Sequence, residues 1–120
     1  MAVADRDLAD AIVPGLSTDG RLSIAYNAAL QLAAAALAAA GYRVSREGHP
    51  YRLIQSLHLT IGAPPAVVDQ LDLMRRKRNM ADYQQAGRIL DLEAAAMHDV
   101  AVRLREIVVA WLSKEHPEML

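Results

Sequence analysis

The chain has no cysteine, so disulfides, thiolate catalysis and cysteine-ligated zinc are excluded, and a reducing compartment suits it. An excess of either charge is also lacking. Thirteen lysines and arginines stand against 14 carboxylates, for a net charge of −1. No global basic field therefore draws nucleic acid to the molecule. Strand patterning is missing: no segment alternates apolar and polar residues, and no Asn-Gly or Asp-Gly pair separates two β-rich runs. There is no Gly-rich phosphate loop, no Gly-x-Ser-x-Gly elbow and no His-Glu-x-x-His motif. A secretory leader is not expected either, because Asp5, Arg6, Asp7 and Asp10 occupy the place of a basic start before an apolar stretch.

What is present is helical spacing. At 120 residues the chain suits one domain that can bury a core unaided. A short helix is predicted from about Asp5 to Val13, stopped by Pro14 and Gly15. Ser17, Thr18 and Asp19 then offer capping oxygens for a long helix to about Ala40. Its apolar positions Leu22, Ala25, Ala29, Leu32, Ala36 and Ala40 recur at three and four. Ten alanines between Ala25 and Ala40 let a neighbouring backbone come close, and Gly41 closes the helix. The alanine run Ala28 to Ala40 is about half a membrane span, so it reads as a packed helix and no membrane association is expected.

After a polar loop, Pro50 opens a helix to about Ile61, with Leu53, Ile54, Leu57 and Ile61 as its apolar stripe. Gly62 to Pro64 is a break. Pro65 starts a helix predicted to end near Arg78, with Val67, Val68, Leu71 and Met74 inside. The last helix is predicted from about Tyr83 to Ser113, with Leu90, Ala94, Met97, Ala101, Leu104, Val108 and Trp111 on one face. Long helices with short connections predict an all-α fold, an antiparallel up-and-down bundle of four to five helices.

The four histidines, His49, His58, His98 and His116, fall in separate segments without ligand spacing, so no metal or cofactor is expected. The carboxylates offer no pair for acid–base work. The dense feature is Arg75-Arg76-Lys77-Arg78-Asn79-Met80-Ala81-Asp82-Tyr83. One reading is punctuation between helices: cations complement the helix dipole, Asn79 takes a left-handed C′ position, and Asp82 caps the next helix with Gln85 completing a capping box. The other reading is a polyanion contact site built from the arginines. Tyr26 can bury its ring with the hydroxyl at the edge, whereas Asn27, a weak helix former, can bond across helices.

Arg78-Asn79-Met80-Ala81-Asp82-Tyr83 resembles the helix junction of HEPN domains in its Arg-Asn-x-x-Asp-Tyr variant. Ser23 to Leu30, followed by Leu37 and Gly41-Tyr42-Arg43, resembles that family's long early helix, and Gly48-His49 precedes the middle helix in a similar way. The resemblance covers about residues 17 to 114. It implies a homodimer whose junction arginines line a shared cleft, with Asn27 near Arg78. It also implies an association with a minimal nucleotidyltransferase or a toxin–antitoxin pair, with RNA or a nucleotide as ligand, in the cytoplasm. Active members of the family are metal-independent ribonucleases with an Arg-x(4–6)-His motif. Here Tyr83, Gln84 and Gln85 fill the permitted spacings, so the histidine is absent. Tyrosine titrates near 10 and shuttles protons poorly at neutral pH. Arg43 to His49 and Arg52 to His58 also fit the bare pattern, but away from the junction.

Three expectations follow. The first is a non-catalytic HEPN-like binding protein acting through Arg75, Arg76, Arg78, Asn79, Asp82, Tyr83 and Asn27. The second is a ribonuclease using Arg78 with Tyr83, or with His49 or His58. The third is a bundle with a purely structural or oligomerisation role.

Overall fold

The computed structural model describes residues 2–10, 17–42, 50–83 and 91–119. These residues form five α-helices and a terminal 3-10 turn: α1 (Ala2–Asp10), α2 (Thr18–Ala39), α3 (Pro50–Ile61), α4 (Pro65–Tyr83) and α5 (Asp91–Glu115), with the turn at Pro117–Met119. No strand occurs among them, so the fold is an all-α bundle.

The helix starts follow local chemistry. Ser17 is extended and its Oγ accepts the Gly20 N–H at 3.0 Å, so the predicted cap of α2 is in place. Gly41, at φ 95°, and Gly62, at φ 66°, end α2 and α3 in the left-handed region that glycine enters without a Cβ penalty. At the second of these ends the Ala63 N–H donates to the Leu57 carbonyl at 3.2 Å. α1 begins earlier than expected, and Ala11 to Val13, where it was expected to finish, lie outside the described residues.

The α4–α5 corner departs from the sequence expectation. α4 does not stop at Arg78 but runs on to Tyr83, and the described part of α5 starts at Asp91 instead of Tyr83. Asn79 is therefore not a left-handed C′ residue, and none of the described non-glycine residues has a positive φ. Asp82 is helical and is not the cap of the last helix. The reason is energetic. Asn79 and Asp82 cost only tenths of a kcal/mol inside a helix, Met80 and Ala81 favour it, and no glycine or proline forces a stop. Capping capacity alone does not end a helix whose next residues can continue it.

Packing centres on α2 and α5. Leu22, Ala25, Ala28, Ala29, Leu32, Ala33 and Ala36 are buried on α2. Ala94, Met97, Val100, Ala101, Leu104, Val108 and Leu112 are buried on α5. Trp111, expected on that face, is only partly buried, and Leu90 lies outside the described residues. Ile54 and Leu57 on α3, and Val67, Val68, Leu71 and Met74 on α4, complete the core. The alanines of α2 let α5 approach closely, which is why this helix carries few large side chains yet makes the most extensive contact of the bundle.

Polar contacts set the alignment of the helices. Thr18 Oγ1 donates to Asp91 Oδ1 at 2.8 Å and Arg21 donates to the same oxygen at 2.6 Å, so the first turns of α2 and α5 lie side by side. The carboxylates of Asp91 and Glu93 in that turn also complement the positive end of the α5 dipole. α1 runs opposite to α5: Asp5 pairs with Arg105, and His98 Nε2 lies 3.1 Å from the Leu8 carbonyl. Gln31 Nε2 donates to Asp7 Oδ2 at 3.0 Å and ties α1 to α2 as well. α3 and α4 form an antiparallel hairpin, with Tyr51 beside Arg75 at one end and His58 beside Ala63 at the other. Within α2, Gly20–Ala39 is long and apolar enough to cross a membrane by length and composition, and just under half of it is buried inside the bundle.

Candidate functional site: the arginine face of α4

The four consecutive cations of α4 divide by helical phase. Arg75 and Arg78 are three residues apart and share a face, whereas Arg76 and Lys77 point elsewhere. Arg78 Cζ sits 5.6 Å from the centroid of the Tyr26 ring on α2. Arg75 Cζ sits 5.3 Å from the centroid of the Tyr51 ring on α3. Each guanidinium thus covers a tyrosine of a different helix, an arrangement that ring quadrupoles favour. Arg76 is largely exposed and stands 3.6 Å from Asp72 Oδ2. Lys77 pairs with Glu93 and joins α4 to the first turn of α5.

Asp72 holds the inward arginine in place. Arg75 Nε donates to Asp72 Oδ1 at 3.0 Å, and this i,i+3 pair is more than three-quarters shielded on both sides. Asp72 thus pairs with both Arg75 and Arg76.

Tyr26 lies at the floor of this corner. It is 2% exposed, and its hydroxyl is buried without a hydrogen-bond partner among the described residues. Burial pushes the phenol up to about 12, opposed by the nearby Arg78 and Arg75 and reinforced by Asp72. The hydroxyl is accordingly a proton donor at any physiological pH.

Of the residues that the sequence singled out, Arg75 and Arg78 are brought together on one inward face. Asn27 is exposed, one position along α2 from Tyr26. The side chains of Asn79, Asp82 and Tyr83, and all of His49, lie outside the described residues. His58 Nδ1 is 3.2 Å from the Ala63 carbonyl, at the α3–α4 turn. His98 is engaged with α1, and His116 packs its ring 5.1 Å from that of Trp111. Among the described residues no group of three histidines and carboxylates is placed to hold a metal.

Tyr26 is the participant that sequence reasoning missed. The sequence accounts for Tyr26 by ring burial alone, and the resemblance implies Asn27 at the cleft. The available signal was its phase: Tyr26 is four residues from Leu22 and three from Ala29, on the buried side of α2. No family model matches the chain, and no curated protein or solved structure matches it.

Proposed function

We propose that this chain is a HEPN-like, non-catalytic binding protein of the cytoplasm that uses the α4 arginine face to engage a protein or nucleotide-bearing partner. The most specific version is a homodimer working with a minimal nucleotidyltransferase or as one half of a toxin–antitoxin pair. The observation that carries the reading is the inward set of Arg75 and Arg78, each laid over a tyrosine. Arginines that only solubilised a helix would extend into water, as Arg76 does. Ordering two long side chains costs conformational entropy, which a surface kept for recognition offsets on binding.

Asn79, Asp82 and Tyr83 extend the same helix and belong to the proposed surface with Asn27. The absence of a histidine at the expected spacing after Arg78 is the sequence support for a non-catalytic role.

The test is capture of the partner from native extract by wild-type protein and by Arg78→Ala. Loss of capture with the oligomeric state intact supports the proposal, and unchanged capture refutes it. The same samples are incubated with structured and single-stranded RNA, with and without chelator. Cleavage abolished by Arg78→Ala would instead establish the ribonuclease reading.

A further inference from the structure

Beyond its first turn α2 is free of charge: from Leu22 to Tyr42 the chain has no Asp, Glu, Lys or Arg. One side of the helix builds the core, with Leu22, Ala25, Ala29, Leu32, Ala33 and Ala36 buried. On the opposite side Asn27, Ala38 and Gly41 are exposed, and Leu30, Ala34 and Leu37 are partly buried. Each of the other helices shows charge to solvent: Arg6 on α1, Arg52 on α3, Asp69 and Arg76 on α4, Asp99 and Arg103 on α5. A helix face that meets water carries such residues as a rule, and the outer face of α2 does not.

That face also has its own spacing. Ser23, Asn27, Leu30, Ala34, Leu37 and Gly41 are separated alternately by four and three residues. Such a seam suits a second helix lying along the first at a crossing angle of about 20°. Leu30 and Leu37 fall on one of its two alternating positions, and Asn27 and Ala34 on the other. Ala34 lets two backbones come close. A lone asparagine in such a seam fixes register, because its amide pairs with an amide opposite. Tyr42, 62% exposed, follows the end of the stripe and adds an aromatic ring to it.

The missing charge selects the occupant. In a two-fold pairing, residues near the axis meet their own copies, so a charged side chain there faces its like. Among the described helices α2 has the outer face that avoids this conflict. A lipid surface fits less well. Helices that lie on membranes flank their apolar face with Lys and Arg, which α2 lacks from Leu22 to Tyr42.

We infer that the outer face of α2 docks a second copy of this chain, the two α2 helices lying along each other with Asn27, Leu30, Ala34 and Leu37 between them. The binding reading includes a homodimer arranged around the junction arginines. The α2 pairing is a different surface and is independent of what the arginine face binds.

The experiment is sedimentation equilibrium of the full chain at concentrations up to about 100 µM, with circular dichroism to check that each variant is folded. Wild type is expected to be a dimer. Leu37→Glu brings two carboxylates into the seam and is expected to weaken the dimer more than about a hundredfold. Leu59→Glu places the same charge on α3, at a leucine that is 85% exposed, and is expected to leave the dimer intact. Asn27→Leu is expected to admit species larger than a dimer, a change that an asparagine lying in water would not produce.

A wild-type chain that stays monomeric overturns the inference, and binding of that monomer to phosphatidylcholine vesicles would assign the face to lipid instead. A dimer that survives Leu37→Glu, or an Asn27→Leu protein that sediments like wild type, overturns it too. Should Leu37→Glu fail to fold, Ala34→Glu takes its place with the same two outcomes. A dimer lost in the Arg75→Gln, Arg78→Gln double variant but kept in Leu37→Glu moves the interface to the arginine face and is decisive against α2. Partner capture that depends on Arg78 in a monomeric wild type overturns the α2 pairing and leaves the arginine face standing. A dimer lost in Leu37→Glu, with capture indifferent to Arg78, supports the pairing while the binding reading fails.

Discussion

Ala28→Leu tests why α2 is built from alanine. Ala28 is fully buried near the middle of α2, the helix that packs most extensively on α5. Leucine adds three carbons to a side chain that is fully buried in the packed bundle. Forcing such groups into a packed core costs typically 1–3 kcal/mol, through displaced backbones and off-rotamer side chains. Unfolding entropy near the midpoint is about 2.1 cal/mol/K per residue, so 120 residues give roughly 0.25 kcal/mol/K. A cost of about 2 kcal/mol then lowers the midpoint by roughly 8 °C. The control is Ala38→Leu, on the exposed side of the same helix, where leucine is as good a helix former as needed and the change stays within about 0.5 kcal/mol. Thermal and urea unfolding followed by circular dichroism read both variants. Equal midpoints for the two would refute the close packing of the alanine face of α2.

Two further perturbations probe the frame around the site. Ser17→Ala removes the acceptor for the Gly20 N–H and should cost about 1 kcal/mol, measurable as a lower urea midpoint with unchanged slope. Asp5→Asn breaks the pair with Arg105, whose hydrogen bond holds the Asp5 carboxyl below its usual 3.8. A folded-state value below the unfolded one means that the stabilisation is present above the unfolded value and fades as pH falls through the folded one. Because the pair is partly solvated it contributes under about 1 kcal/mol, so wild type and Asp5→Asn should differ slightly and constantly at neutral pH and converge in acid. A difference that persists or grows in acid would show that the asparagine acts by other means.

The helical class, the helix starts at Ser17, Pro50 and Pro65, and the glycine stops at Gly41 and Gly62 were legible in the sequence, because each is set by residues within a turn of the boundary. The core faces of α2, α4 and α5 followed from spacing for the same reason. The end of α4 was not legible. Asn79 and Asp82 can cap or continue a helix at nearly equal cost, and packing decides between the two. The candidate site was half legible. The arginine cluster is visible in the chain, but which arginines face inward depends on where α2 and α3 lie. The Tyr26–Arg78 and Tyr51–Arg75 contacts join residues 52 and 24 positions apart, and no local period encodes such pairs. The resemblance favoured Asn27, and the fold lays Arg78 over its neighbour Tyr26, with Asn27 exposed.

The central claim is that function resides on the α4 face where Arg75 and Arg78 turn inward. Its most direct test is partner capture by the Arg75→Gln, Arg78→Gln double variant beside Arg103→Gln, which removes an exposed cation from α5. Capture lost in the double variant and kept in Arg103→Gln, with all proteins folded, is the predicted result. Equal capture by the two variants would contradict the account.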